Sequence, residues 1–348
     1  MSLFSLTFLF LLLATHSAKP PFPCAECSPS CPHRCVCYEN ADLVDCRSGG
    51  FHRVPRGLPH GSWLLELGGN NLSVVGTHAF TGLRSLRVMV LTDSQVEEIQ
   101  PQAFFSLSFL EKLDLSWNQL TILPVEFSTS LSALKELRLE HNFLHYISDY
   151  SFEHLDNLEK LDLSYNHLTV IGPGVFRGHS RLRQLYLHNN RLIVVQQGSL
   201  DMLPALEVLQ LSHNNISHID PEALAPLYSL ALLALDGNNL HHLKFKTFNS
   251  LHTTATHIQL SGNPWSCDCD LHRVFTQWGI SGLGRQPALH CRNCYSTGHY
   301  HDCSGHSGGG TSDGGEKQEE KQWKELGHRV SDTDSKLSIL KSRQDKSH

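Results

Sequence analysis

Leucines recur along the chain in a fixed pattern. The leading leucine of each unit is 24 residues after the last, giving the series Leu86, Leu110, Leu134, Leu158, Leu182, Leu206 and Leu230. Inside a unit apolar and polar residues alternate, as in LEKLDLSYNHL at 158–168. Such alternation over a few residues predicts a short strand with its leucines on the buried side. An asparagine follows each predicted strand, and Ser94 replaces it once.

A second apolar pair occurs later in each unit, for example Ile147 with Phe152 and Ile171 with Phe176. One such unit is too small to bury a core by itself, so the units must stack on one another. We therefore predict a solenoid over residues 62–262, made of eight 24-residue units and a partial one. The asparagine is expected to satisfy backbone groups where the chain turns after each strand.

The repeated pattern L-x-x-L-x-L-x-x-N-x-L resembles the leucine-rich-repeat family. The resemblance implies an α/β repeat solenoid: a right-handed horseshoe with a parallel concave β-sheet and disulfide caps at both ends. Secreted scaffolds of the chondroadherin type and the ectodomains of adhesion receptors share this organisation.

Cysteines flank the repeats on both sides. The segment CPHRCVCYENADLVDC at 31–46 resembles the N-terminal cysteine cap of extracellular leucine-rich-repeat proteins, predicted here over 31–61. That resemblance implies the pairs Cys31–Cys37 and Cys35–Cys46. The segment NPWSCDCDLHRVFTQW resembles the C-terminal cap, predicted over 263–303 with an atypical end. It implies the pair Cys267–Cys291 and a pair between Cys269 and a later cysteine, most simply Cys303.

The atypical end has a second interpretation. Cys291, Cys294, His299, His301, Cys303 and His306 are residue types that bind zinc. Thiols of secreted proteins usually oxidise, so disulfides are favoured over a metal there. We predict no metal and no cofactor, and the pairing of Cys24, Cys27 and Cys294 stays open.

The N-terminus has an apolar core from Phe8 to Ala14 followed by small and polar residues. This pattern predicts a secretory signal peptide at 1–18, followed by a cysteine-containing lead-in at 19–30. Residues 304–348 are rich in Gly, Ser and charged residues, and we expect a disordered tail. No later apolar run is long enough for a membrane span, so the sequence predicts a secreted chain.

Charge and motifs exclude other function classes. The net charge is −6, without the basic excess that nucleic-acid binding requires. The chain has no serine elbow, phosphate loop or H-E-x-x-H motif, so we predict that it is not an enzyme.

Partner binding is expected on the concave face, which most members of the family use. The variable positions of the middle repeats carry large aromatic and histidine residues, a composition typical of binding hot spots. Solvated side chains on a β surface are the plainer interpretation of the same positions. The predicted partner-binding residues are Trp117, His141, Phe143, Tyr165, His167, Tyr186 and His188. Glycosylation sequons occur at Asn71 and Asn215, and glycans there would lie on either side of this patch and leave it accessible.

The sequence thus favours a secreted, non-enzymatic scaffold that binds an extracellular protein ligand in the matrix or pericellular space. A soluble or truncated ectodomain of an adhesion or signalling receptor is the alternative. A zinc-dependent or redox-active secreted protein is the third hypothesis.

Overall fold

The computed structural model describes residues 31–149, 151–248, 251 and 256–266. Short strands account for nearly all of its regular structure. In chain order they are β1 (Val36–Tyr38), β2 (Leu43–Asp45), β3 (Leu64–Glu66), β4 (Val74–Val75), β5 (Val88–Val90), β6 (Glu98–Ile99), β7 (Lys112–Asp114), β8 (Glu136–Arg138), β9 (Lys160–Asp162), β10 (Gln184–Tyr186), β11 (Val194–Val195), β12 (Val208–Gln210), β13 (His218–Ile219), β14 (Leu232–Ala234) and β15 (His257–Gln259). Two 3-10 helices span Glu39–Ala41 and Phe245–Phe248.

One sheet of 11 strands runs through the repeats, in the order β1-β2-β3-β5-β7-β8-β9-β10-β12-β14-β15. From β2 onward neighbouring strands are parallel, and from β3 to β14 each pairs with the strand 24 residues away, so that Leu137 faces Leu161. In the three-residue strands from β2 to β15 the middle residue is buried and the first is at least partly exposed. The third is partly exposed except in β7 and β14, where it is buried. The predicted parallel-sheet solenoid is confirmed.

The core lies behind this sheet and is shared between successive repeats. The leading leucines and the second apolar pair of each unit are buried, Phe152 and Phe176 among them. Their rings form part of a column in which Phe80 stacks on Phe104 at a centroid distance of 5.8 Å. The chain returns to the sheet through turns, and apart from the two 3-10 helices the described residues contain no helix.

The asparagine column connects successive turns of the solenoid. The Asn166 amide nitrogen donates to the carbonyl of Leu163 at 3.1 Å and to that of Leu139, one repeat earlier, at 2.9 Å. Its amide oxygen accepts from the Leu144 N–H at 3.0 Å. Where Ser94 replaces the asparagine, its hydroxyl donates to the Leu67 carbonyl at 2.8 Å. Buried backbone groups are therefore satisfied from repeat to repeat, as predicted.

The N-terminal cap has the predicted disulfides, Cys31–Cys37 and Cys35–Cys46. Its strand β1 runs antiparallel to β2, which then begins the parallel sheet. The predicted C-terminal pairs, Cys267–Cys291 and Cys269–Cys303, lie outside the described residues, as do the predicted signal peptide, lead-in and tail. Within the described ranges, no helix is long and apolar enough to cross a membrane.

Candidate protein-binding surface

A row of residues directly after the strands has an unusual backbone conformation. Trp117, His141 and Tyr165 lie three residues beyond the ends of β7, β8 and β9, with φ angles of 56°, 55° and 52°. The left-handed region costs an ordinary L-residue about 1–2 kcal/mol. Glycine takes this position in the terminal repeats, at Gly69 and Gly237. We call the row from Trp117 to Tyr165 the aromatic ledge.

The side chains of the aromatic ledge form a continuous stack. The Trp117 and His141 ring centroids are 3.7 Å apart, those of His141 and Tyr165 4.1 Å apart, and both pairs are within 12° of parallel. Trp117 is 58% exposed and Tyr165 45% exposed. Large apolar side chains therefore stand in solvent on a backbone conformation that disfavours them.

The column after the asparagines forms a second wall opposite the aromatic ledge. Phe143 and His167 belong to this column and contact each other edge to face at 5.6 Å. The two walls enclose an open groove of about 530 Å³, which Asn189 and Arg191 also line. We call it the aromatic groove.

Two of the predicted residues lie on the outer face of the sheet. Tyr186 is the last residue of β10, and His188 follows two residues later. His188 contacts Tyr165 at 5.4 Å and Tyr186 at 6.3 Å, so it joins the sheet face to the aromatic ledge. The structure thus brings all seven predicted residues into one surface. Tyr186 is within a strand, and the other six follow the strands.

The sheet face beside the ledge carries charges of alternating sign. Glu136 lies between Lys112 at 3.3 Å and Lys160 at 3.4 Å. Burial opposes ionisation of Glu136, but the two lysines outweigh it and lower its pKa. Arg138 pairs with Asp114 at 3.6 Å and also with Glu140. This part of the surface neutralises its own charge.

The histidines of the surface favour the neutral form. Burial lowers the pKa of His141, and the Asp162 carboxylate opposes the shift. Burial also lowers the pKa of His167, with further contributions from Arg191 and His145. At neutral pH the groove therefore presents uncharged rings beside the cationic Arg191.

Sequence reasoning left Asn189 and Arg191 out of the site. Both occupy the same columns as predicted residues: Asn189 continues the Trp117 column and Arg191 the Phe143 column. The two sequon asparagines, Asn71 and Asn215, belong to the Arg191 column and are exposed. Asn215 is one repeat beyond Arg191, and their N–H groups make equivalent bonds to Leu192 and Leu168. No cluster of possible metal ligands occurs among the residues that the structure describes.

Comparison with known protein families gives a match at the repeats. The protein-family model described as "Leucine rich repeat" matches residues 64–120, 132–192 and 180–240. Leucine-rich repeat-containing protein 3 of Rattus norvegicus is 38% identical over 87 residues, which is 24% of this chain and 34% of the rat protein. Trophoblast glycoprotein of Macaca fascicularis is 36% identical over 107 residues, 30% of this chain and 24% of that protein. The chain therefore spans about a third or less of the length of these relatives.

Solved structures match over a larger share of the chain. A chain from the octameric complex of Latrophilin 3, Unc5D and FLRT2 (LRR) has a TM-score of 0.60 and 25% identity, covering 73% of this chain and 91% of that one. Human 5T4 (Wnt-activated inhibitory factor 1, Trophoblast glycoprotein) has a TM-score of 0.55 and 28% identity, covering 75% and 90%. The solenoid thus resembles leucine-rich-repeat structures along most of their length.

Proposed function

Because this chain is a leucine-rich-repeat protein with a disulfide-bonded N-terminal cap, we propose that it is a secreted, non-enzymatic scaffold that binds an extracellular protein. Disulfides form and persist in oxidising compartments, which supports an extracellular location. The signal-peptide pattern at the N-terminus points the same way. The matrix or pericellular space is the proposed site of action.

The aromatic ledge is the observation that carries the proposal. Folding alone favours glycine or asparagine at left-handed positions, and the repeats do use Gly69, Gly237 and Asn189 there. Trp117 and Tyr165 occupy the same positions at a cost in backbone energy and with nearly half or more of their surface in water. Tryptophan and tyrosine are enriched at hot spots because they bury a large area on binding. Partner binding gives the reason for placing them there.

A glycan at Asn215 would stand beside Arg191, at the end of the aromatic groove. Strands in a sheet are about 4.8 Å apart, so a sugar there would limit how far a partner extends along the solenoid. Asn71 is two repeats before Trp117, at the other end of the aromatic ledge. We propose that the two glycans border the binding surface and leave its centre open.

Binding by a soluble or truncated receptor ectodomain is the second candidate. Its support is the likeness to the chain from the octameric Latrophilin 3, Unc5D and FLRT2 (LRR) complex and to 5T4, also called Wnt-activated inhibitory factor 1. In this case the same surface would compete with a membrane-bound relative for its ligand.

The test compares partners captured by three forms of the secreted protein on living cells. Proximity labelling with the natural protein should mark one or a few cell-surface or matrix proteins. The variant with both Trp117→Asn and Tyr165→Asn should lose them. A control with Trp63→Asn and Tyr228→Asn removes two exposed aromatics elsewhere and should keep them. Equal labelling by all three forms would contradict the proposed surface.

A further inference from the structure

The way the rings stack limits what the aromatic ledge can bind. Trp117 covers one face of the His141 ring and Tyr165 covers the other. His188 meets Tyr165 edge to face. The outward surface of the ledge is therefore made largely of ring edges, which carry the positive part of the aromatic quadrupole. The indole N–H, the imidazole N–H and the phenol O–H also lie on ring edges, and each can donate a hydrogen bond.

The aromatic groove lacks negative charge. No Asp or Glu is among the described residues that line it. Its one permanent charge is the guanidinium of Arg191, which contributes to lowering the pKa of His167 and is therefore close to that ring. The Asn189 side chain adds a further amide donor.

Arg191 also differs from three other arginines of the repeats, which lie at or beside the strands of the main sheet. Arg87, Arg138 and Arg183 each form an ion pair with a glutamate. Within the described ranges, Arg191 has no carboxylate within ion-pair distance. The neighbouring sheet face is neutralised by its own alternating charges. Unlike these paired arginines, Arg191 is thus available to an anion at the groove.

We infer that the aromatic groove binds an extended acidic segment of the partner protein, with a carboxylate at Arg191 and further acceptors along the ring edges. This inference rests on the proposed function and adds the chemistry of the partner. From Trp117 to Arg191 the groove crosses four repeats, a span of about 14 Å at the usual strand spacing. An extended segment of about four residues covers that length.

A protein segment suits this surface better than a carbohydrate does. Sugars stack on the open faces of aromatic rings, and in the aromatic ledge the stack itself covers both faces of His141 and one face each of Trp117 and Tyr165. Backbone carbonyls and carboxylates approach ring edges and N–H groups, which the groove offers. An acidic oligosaccharide is the competing ligand, and the test includes it.

The experiment pans random linear peptides, displayed on phage, on the disulfide-bonded secreted protein. Selected peptides should be enriched in Asp and Glu. The best of them is then synthesised with a fluorescent label, together with a version in which Asn and Gln replace Asp and Glu. Anisotropy should show binding of the acidic peptide that weakens as salt rises, and at least about tenfold weaker binding of the amide version.

Two variants locate the contact. Arg191→Glu should weaken the acidic peptide by at least about tenfold, because it replaces an attraction with a repulsion. Arg177→Glu makes the same charge change at an exposed position outside the groove and should leave affinity unchanged. Unchanged affinity of the Arg191→Glu variant for the acidic peptide would overturn the inference. Selection of peptides without acidic residues, no selection at all, or a heparin-derived oligosaccharide that binds through Arg191 in place of peptides would also overturn it.

The outcomes separate this inference from the proposed function. If selected peptides lack acidic residues but lose affinity when Trp117 and Tyr165 are both changed to Asn, the binding surface stands and its acidic preference is wrong. If that double variant still binds the selected peptide and the cellular partner, the proposed function fails as well.

Discussion

His179 is a buried imidazole in a column of leucines. The equivalent residues in neighbouring repeats are Leu155 and Leu203, both fully buried. Nδ1 of His179 donates to the Arg177 carbonyl at 3.0 Å, while Nε2 has no partner. The ring is 1% exposed and packs between Phe152 and Phe176. We predict that His179→Leu stabilises the protein.

The magnitude follows from three contributions. Removing an unsatisfied buried polar atom gains about 1–3 kcal/mol. Loss of the bond to the Arg177 carbonyl costs about 0.5–1.5 kcal/mol. Leucine fits the apolar pocket that its column forms, so packing changes little. The expected net gain near pH 7.5 is about 1 kcal/mol.

The gain should increase in acid. Burial lowers the pKa of His179, and hydrogen bonds to the backbone only partly oppose the shift. Below about pH 6.5 the unfolded chain binds a proton at this residue that the folded chain does not bind, so the natural protein loses stability as pH falls. Leucine binds no proton, and therefore the advantage of the variant at about pH 5 should exceed its advantage at about pH 7.5.

Urea unfolding at the two pH values, followed by circular dichroism, measures both effects. His154→Leu is the control, because it removes an exposed histidine from the preceding repeat and should change stability by less than about 0.5 kcal/mol. Destabilisation by His179→Leu, or an equal gain at both pH values, would refute this account of the buried imidazole.

Two further predictions concern the polar network of the solenoid. Asn166→Ala should lower the free energy of unfolding in urea by about 2–4 kcal/mol, because it leaves buried backbone groups of two repeats unsatisfied. Asn166→Ser should cost less, because the Ser94 hydroxyl makes one such bond at the equivalent position. Equal losses for the two variants would contradict this role of the hydroxyl. Burial raises the pKa of Glu66 to about 7, although the charge of Arg47 opposes the shift. The Oε1 atom of Glu66 has no hydrogen bond. The folded state therefore holds a proton that the unfolded state releases above about pH 4.5, so Glu66→Gln should stabilise the protein above pH 7 and have little effect below pH 4.5. A gain that is independent of pH would be inconsistent with this assignment.

The periodic part of the molecule could be read directly from the sequence. Strand positions and the asparagine column recur in fixed frames, and each frame reflects a single packing or hydrogen-bonding requirement. The cysteine pairs of the N-terminal cap were implied by the resemblance to extracellular leucine-rich-repeat proteins and are confirmed. The seven partner-binding residues were selected by the same frame. The structure places them in one surface, while their binding role remains a proposal.

The backbone conformation of the aromatic ledge was not predicted. Reading the residue before each asparagine as part of a strand surface gives no φ angle, so the left-handed turn was missed. A signal was present, because Gly69 and Gly237 occupy the same column as Trp117, and glycine in a repeated position indicates a positive φ. The stacking of neighbouring rings depends on this turn, and it can be recognised only in the three-dimensional structure.

The sequence pattern also did not predict a second set of strand pairs outside the main sheet, which forms two small two-stranded sheets. It occurs at β4 with β6 and at β11 with β13, but not in the repeats between them. Gln100 and Asp220 each donate a backbone N–H to the preceding repeat. Pro124 occupies the position equivalent to Gln100 and has no N–H, which explains why the pairing ends after β6.

The central claim is that the aromatic ledge is maintained for binding and not for folding. Its most direct test measures affinity and stability on the same protein, with Trp117→Asn and Tyr165→Asn combined. Calorimetric titration with the identified partner should show affinity reduced by at least about 30-fold, equal to about 2 kcal/mol. Urea unfolding should change by no more than about 1 kcal/mol, because asparagine relieves the left-handed strain while the stacking contacts are lost. Unchanged affinity together with a large loss of stability would show that the stacked rings serve the fold, and would contradict the account.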